Sequence, residues 1–541
     1  MSKRVKGGVK GGARGCVRNV LCAFATVLIV GAPPAQASGE LRLAYPHDPM
    51  TADVQKNTEY FLLGLNIFDR LVECVRAEDG SSAIVPGLAA SWEISQDGLV
   101  YTFHLRPGVR FHDGSPLTAA DVVYTFDRMC DPGTKALNTA IFEFVAGARE
   151  RLDGQAASTA GVVALDDLTV AIRLTRPFAP FLALLASPQA GVYSEKFTKA
   201  AGERFGLTPE TTCGTGPFTL AAYVHNSYQR LAANPDYFRG PPSLEAISVR
   251  VTGDPETLRM LFEAGEIDLF DMDFAPTQLD YFEASPTWRG RLVRAPRVGL
   301  YYLAINNAKK PFDDARVRRA LQLSIDRGLI LDKMFSGQGS LVDGVMAPGL
   351  ACFDSETPAL DYNPAEARRL LAEAGYPDGV DAELAQVAGW PATWADLAQV
   401  IAAQAGKGGV HVKIRRFDEA AFLSTRLYGD APLYFQVWSA DFNDPDNFFH
   451  TFFSPAGTKV RSVNLDDTGA LAAVEAARSI TDPAERCRAY RELEHRIVDQ
   501  DAAWLPLFSL DHVFVTGPRV TRFAAPWNGW SDMSHYQTTV D

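Results

Sequence analysis

The stretch Ser91–Met129 reads SWEISQDGLVYTFHLRPGVRFHDGSPLTAADVVYTFDRM. WEIS, VYTFHLR and VRFH alternate apolar with polar residues as half-buried strands do, and Asp97-Gly98 and Pro107-Gly108 supply the turns between them. The pattern then changes period. SPLTAADVVYTFDRM predicts a helix with Thr118 as N-cap and Asp121 at the third helical position. Short strands that run directly into a helix point to an α/β fold.

The same alternation of elements continues on both sides. ELRLAYPHDPM starts as a strand, and TEYFLLGLNIFDRLVE, residues 58–73, has apolar residues at helical spacing. GVVALDD with LTVAIRLT, and GTGPFTLAAYV with SYQRLAANPDYF, predict two hairpins. EAISVRVTG, a helix capped by Asp254 with Pro255 at its first position, and DLFDM predict a strand–helix–strand unit of a parallel or mixed sheet. Beyond residue 300, GLYYLAINN, DAELAQV, VHVKIRRF and LYFQVWSA predict strands. Helices are predicted at 313–335, with a basic face, and at NPAEARRLLAEAGY, where Gly375 and Pro377 end the run. WADLAQVIAAQAG, EAAFLSTRLYG and DPAERCRAYRELEHRIVDQD predict further helices, and WLPLFSLDHVFV a closing strand.

The first 37 residues are of another kind. Lys3, Arg4, Lys6, Lys10, Arg14 and Arg18 precede the uncharged run VLCAFATVLIVGA and the small-residue site PPAQA, the order of a secretory signal peptide with cleavage expected after Ala37. The run is too short to cross a bilayer, which takes about 20 residues. Losing six positive charges moves the net charge from −13 to −19. A chain this acidic is unsuited to nucleic acid or anionic lipid surfaces, which call for clustered Lys and Arg. Five cysteines remain, Cys74, Cys130, Cys213, Cys352 and Cys487, with no Cys-x-x-Cys. They are too few for a disulfide framework, though one bridge is compatible with export.

WSADFNDPDNFF, Trp438–Phe449, places Asp441 just after a strand and among aromatic residues. A calcium loop starting at Asp441 would need Gly and Glu where Asp446 and Phe452 stand. No Gly-x-Ser-x-Gly, Walker loop, Gly-x-Gly-x-x-Gly or His-Glu-x-x-His occurs, so no enzyme motif and no metal site is predicted. Two readings of Asp441 remain: a turn-capping residue before Pro445, or an anchor for a ligand ammonium between aromatic walls. In open α/β sheets, ligands sit beyond the carboxyl ends of strands, which favours the anchor. Trp438, Trp390 and Trp394 are candidate walls, and Tyr60 and Phe61 complete the candidate binding set.

Seven ordered segments carry a resemblance: LAASWEISQDGLVYTFHLRPGVRFHDGSPLTAADVVYTFDR, CGTGPFTL, NPDYFRGPPSLEAI, LFEAGEIDL, LAINNAKKPFDDARVRRALQLSIDR, NPAEARRLLAEAGYPDG and AAWLPLF. Together they resemble the extracytoplasmic solute-binding proteins of family 5, which serve oligopeptide, dipeptide and nickel ABC importers. The resemblance implies an α/β, two-lobed periplasmic-binding-protein fold with a hinge and an inserted subdomain. The implied segments are 38–81, 203–305 and 503–541 for the first lobe, 82–202 for the inserted subdomain and 306–502 for the second lobe, with INNAKKPF and QDAAWLPLF near the hinge. It implies a periplasmic, monomeric protein that is not an enzyme and needs no cofactor. Its partners would be a peptide or small amine-bearing ligand and an inner-membrane ABC permease with cytoplasmic ATPases.

Asp441 occupies the position where one Asp of such proteins meets the ligand's α-ammonium. Two family features are missing. VAGWPATW has no Arg for a ligand carboxylate, and Phe435 stands where oligopeptide-type members have an Arg. The carboxylate clamp is therefore unassigned. A secreted hydrolase of peptides or sugars, and a receptor that presents ligand to a sensor, are the alternative functions.

Overall fold

A computed structural model describes residues 39–541 apart from 59, 77–81, 390–391, 527 and 529–532. The expected signal segment and its cleavage point lie outside the described residues. Ala89–Ile94 pairs antiparallel with Val100–Leu105, which pairs with Thr169–Arg173, and Val162–Asp166 completes a four-stranded sheet. The helix Ala119–Cys130 begins where the sequence predicts, and the Thr118 N–H donates to Asp121 Oδ2 at 2.9 Å. Val122, Phe126 and Met129 then cover Tyr101, Phe103 and Ile172 of the sheet. VRFH forms a single bridge, Arg110 with Pro116, instead of the expected strand. Asp113 Oδ1 accepts the Ser115 N–H at 2.9 Å, and this tight turn ends the ladder before it can extend.

The first lobe holds a second four-stranded sheet. Glu40–Tyr45 lies parallel to Ala246–Val251, followed by Tyr228–Ala233 and Phe218–Val224. The helix Pro255–Glu263 is capped by Asp254, whose Oδ1 accepts the Thr257 N–H at 2.7 Å. The expected strand–helix–strand unit does not close in one sheet. Leu269–Asp271 pairs instead with Asp511–Thr516, which also pairs with Leu292–Pro296. A strand from the far end of the chain takes that edge, and local sequence carries no trace of it.

The run 58–73 is another correction. Among its described residues only Leu62–Ile67 is helical, and Val72–Arg76 is a strand paired with Ser82–Pro86. The cause lies in CGTGPF. The Gly216 N–H takes the Ile67 carbonyl at 2.9 Å, and a Cβ on Gly214 would come within 2.0 Å of that oxygen. Only glycine permits this approach, and it removes the carbonyl that helix continuation would need.

The second lobe has a six-stranded sheet in the order Ser340–Leu341, Trp504–Ser509, Gly299–Ala304, Leu433–Ser439, Val380–Val387, Val410–Phe417. The long helix expected over 313–335 is two, Ala315–Ser324 and Arg327–Met334, because Asp326 accepts the Leu329 N–H at 2.9 Å and starts the second. WLPLFSLDHVFV likewise divides at Leu510 between the two lobes' sheets. The chain therefore passes between those sheets at residues 297–298 and again at Leu510, and Ser509 Oγ donates to the Arg297 carbonyl at 2.8 Å. The segment limits at 306 and 502 stand one strand away from these passages. Cys352 and Cys487 form a disulfide, which leaves Cys74, Cys130 and Cys213 free.

Candidate functional site

WSADFNDPDNFF divides its three acids among three tasks. The strand Leu433–Ser439 ends, the Ala440 N–H donates to the Val298 carbonyl at 2.8 Å, and Asp441 follows at the cleft between the lobes. Asp444 precedes Pro445 and turns inward. Its Oδ1 accepts the Asp446 N–H at 2.8 Å, and Arg486 forks onto both of its oxygens. Asp446 opens the helix Asp446–Phe453 and meets the buried Arg478 at 3.0 Å. Phe448, Phe449, Phe452 and Phe453 of that helix are fully buried. Each contributes roughly 1.5–3 kcal/mol of burial, enough to fix the helix and the loop before it. They are core residues, so the aromatic crowding that drew attention to this stretch mostly serves packing.

Asp441 is different. Its carboxylate is reachable by water, and Asn447 Nδ2 donates to its Oδ2 at 3.2 Å. Trp438 stands one step behind, with Nε1 donating to Asn447 Oδ1 at 2.8 Å. The Arg461 guanidinium lies over the Trp438 ring at 4.6 Å. Crowding by the cleft walls raises the Asp441 carboxyl above the ordinary Asp range, against the Asn447 hydrogen bond and the Arg461 charge. Solvent reaches the group in this open cleft, but the surrounding mass of protein still disfavours its charged form. A bound cation would relieve that cost.

The cleft has a volume of about 540 Å³, within the range of small-molecule sites. Among the described residues, the second lobe contributes Asp441 and Phe442 to it, and all other lining residues belong to the first lobe and its inserted subdomain. Phe442 also packs against the subdomain's core. Opposite stand Asp69, Arg70, Glu73, Tyr237 and Arg239. Asp69 accepts from Thr215 Oγ1 and Tyr237 Oη, each at 2.8 Å, and Glu73 from Arg239 Nη1 at 3.0 Å. Residues 524–526, 528, 533–534 and 536–538, from the last stretch of the chain, complete the wall among the described residues.

The remaining candidates lie elsewhere. Trp438 supports Asp441 through Asn447 and is not itself on the cleft wall. Trp394 packs edge-on against Phe435, with ring centroids 5.0 Å apart, beside the second lobe's core. Phe61 is buried in the first lobe's core, and Tyr60 neighbours the His47 ring at 5.3 Å. Trp390 lies outside the described residues. Sequence reasoning missed Asp69, Arg70 and Glu73 because they fell in the run taken for a helix. Three charges inside an otherwise apolar stretch were the available signal.

Two further features lie outside this cleft. A cavity of about 470 Å³ lies within the second lobe, where Lys309 faces Asp430 at 3.3 Å and Arg415 faces Glu383 at 3.4 Å. Asp271, Asp273 and His512 gather near the passages between lobes, where Arg297 supplies the cation at 2.6 Å from Asp273 Oδ1. Burial disfavours His512's charged form, but Asp271 and Asp273 outweigh it and raise its pKa.

The two lobes also meet away from the cleft. Arg478 of the second lobe donates to Glu143 of the subdomain at 3.0 Å, and the Ala179 N–H donates to the Arg478 carbonyl at 2.9 Å. The same guanidinium lies over the rings of Phe144 and Phe178, at 5.1 and 5.0 Å. Arg176 faces Glu475 at 3.4 Å. Asp446, five residues from Asp441, thus belongs to a contact that joins the lobes.

Among the described residues, no helix is long and apolar enough to cross a membrane. The family model for bacterial extracellular solute-binding proteins, family 5 Middle, matches residues 83–459. Heme-binding protein A of Haemophilus influenzae is 29% identical over 510 residues, covering 90% of this chain and 89% of that protein. The dipeptide-binding protein of Escherichia coli strain K12 is 30% identical over 478 residues, covering 82% and 84%. The solved structure of HbpA2 from Haemophilus parasuis superposes with a TM-score of 0.80 at 26% identity, covering 93% of this chain and 100% of that one. These relatives are named as binding proteins, and the HbpA2 structure shares this chain's fold. With more than half its length matched, this chain belongs to the bacterial extracellular solute-binding proteins, family 5.

Proposed function

We propose that the chain captures a peptide, or a similar amine-bearing solute, in the cleft between its lobes, with Asp441 as anchor for the ligand's ammonium. The observation that carries this reading is the second lobe's contribution to the cleft: one carboxylate, oriented from behind by Asn447, beside one aromatic ring. A carboxylate in a crowded cleft pairs strongly with an ammonium ion, since the two desolvate together. Closure takes place at the passages 297–298 and 510, and the closed form delivers the ligand to an inner-membrane ABC permease driven by cytoplasmic ATPases. The exported chain works in the periplasm after its signal segment is removed, and it leaves its ligand chemically unchanged. The dipeptide-binding relative supports the choice of ligand class.

Native mass spectrometry of the purified mature chain, followed by release and identification of what it carries, tests this. The expected result is a set of peptides or other free amines. A retained ligand without an amine would contradict the role of Asp441 and leave the family membership intact.

A further inference from the structure

We propose that the Cys352–Cys487 disulfide positions Asp441 for its ligand, so that affinity for amines follows the redox state of this bond. The proposal rests on the reading of Asp441 as the ammonium anchor. On one side Asp441 is fixed by the strand before it, through the Ala440 N–H on the Val298 carbonyl at 2.8 Å. On the other side two arms hold its loop. Asn443 Oδ1 accepts the Ala351 N–H at 2.7 Å, and Asn443 Nδ2 donates to the Gly349 carbonyl at 3.4 Å. Arg486, on helix Pro483–Glu494, forks onto Asp444. Ala351 precedes Cys352 and Arg486 precedes Cys487, so the disulfide ties the two arms together beside the points where they grip the loop.

The arms differ in what else holds them. Arg486 and Tyr490 bury the helix arm. The other arm is fixed at its root, where Glu494 Oε1 accepts the Val345 and Met346 N–H groups at 2.6 and 2.9 Å and Leu350 is buried. Its tip is less secure. Ala351 is exposed, Cys352 and Phe353 are half-buried at the core's edge, and the Arg491 Nε hydrogen bond to the Cys352 carbonyl, at 3.3 Å, faces solvent. A solvent-facing contact of that kind adds little, so the covalent bond is the firmest hold on the Ala351 N–H in front of Asn443. A dithiol opens the bond with two electrons and two protons, leaving two cysteine thiols and the reagent's own cyclic disulfide. The buried Arg486–Asp444 pair survives, and the Asn443 end of the loop gains freedom that a ligand must remove on binding.

The test is calorimetry on the mature full-length chain with a peptide that it retains and with the N-acetylated form of that peptide, before and after dithiothreitol. Two further alkylated cysteines in mass spectrometry show that the bond has opened. Oxidised wild type is expected to prefer the free amine about 30-fold or more. Reduction is expected to weaken the free amine about tenfold and leave the N-acetylated peptide unchanged. Cys352→Ser with Cys487→Ser should bind as reduced wild type does, whether or not dithiothreitol is present. Asn443→Ala keeps the bond but cuts the loop from it, and should bind the amine weakly and no longer respond to dithiothreitol. Amine affinity that survives both reduction and the double Ser change would overturn the proposal. Equal weakening of both peptides, the mark of a merely structural bond, would do so too, as would an Asn443→Ala chain that still responds. A wild type without amine preference would overturn the anchor reading and this proposal together, whereas an amine preference indifferent to the disulfide would leave the anchor reading standing.

Discussion

A carboxylate held by one side-chain amide keeps most of its lone pairs for something else, and that is the condition of Asp441 beside Asn447. Of its neighbours, Asp444 takes both hydrogen bonds of the buried Arg486, and Asp446 faces the buried Arg478 as an ion pair at 3.0 Å. Replacing Asp441 with Asn leaves the shape and removes the charge. Calorimetry with a peptide that wild type binds should show an affinity loss of about 30-fold or more, and N-acetylation of the peptide should cost wild type a similar factor. Because the free Asp441 carboxyl sits above the ordinary Asp range, amine binding should fade on acidification as the group protonates, starting at a higher pH than an exposed Asp would give. Asp441→Asn should lack that dependence. Trp438→Phe keeps an aromatic ring beneath Arg461 but removes the Nε1–H that orients Asn447. Loss of one such hydrogen bond is worth about 1 kcal/mol, so a smaller drop in affinity, about fivefold, should appear in the same titrations.

At the scale of elements, the loop that presents Asp441 is braced by the Asp444–Arg486 pair, which joins the start of helix Asp446–Phe453 to helix Pro483–Glu494. Asp444→Ala would strand a buried guanidinium. It should cost about 3–5 kcal/mol in urea unfolding, whereas an Ala at exposed Asp97 should cost little. Elements whose signals are local were legible in the sequence: the helix capped by Thr118 and Asp121, the helix capped by Asp254, and the hairpin of Val162–Asp166 with Thr169–Arg173. Elements decided by distant partners were not. The helix read over 58–73 stops at Ile67 because Gly214 and Gly216, far along the chain, crowd its carbonyl. The strand Leu269–Asp271 finds its mate some 240 residues on. The site divides the same way. Asp441 was legible as a polar residue after a strand, but Arg70 and Glu73 face the cleft only because that helix ends early.

For the whole molecule, the proposed function makes ligand binding and lobe closure one event, because Asp441 and Phe442 stand on one wall of the cleft and a first-lobe surface on the other. The Arg478–Glu143 and Arg176–Glu475 contacts add to closure without touching the ligand. They are partly solvent-facing on the acidic side, so their share is modest and the ligand has to supply the rest. The measurement that tests this most directly is small-angle X-ray scattering of the mature chain with and without a tightly bound free-amine peptide, on wild type and Asp441→Asn. The account predicts that the radius of gyration of wild type falls when the peptide is added and that Asp441→Asn stays expanded at the same peptide concentration. A wild-type radius that does not change at saturation, or an Asp441→Asn chain that closes at the same peptide concentration as wild type, would contradict it.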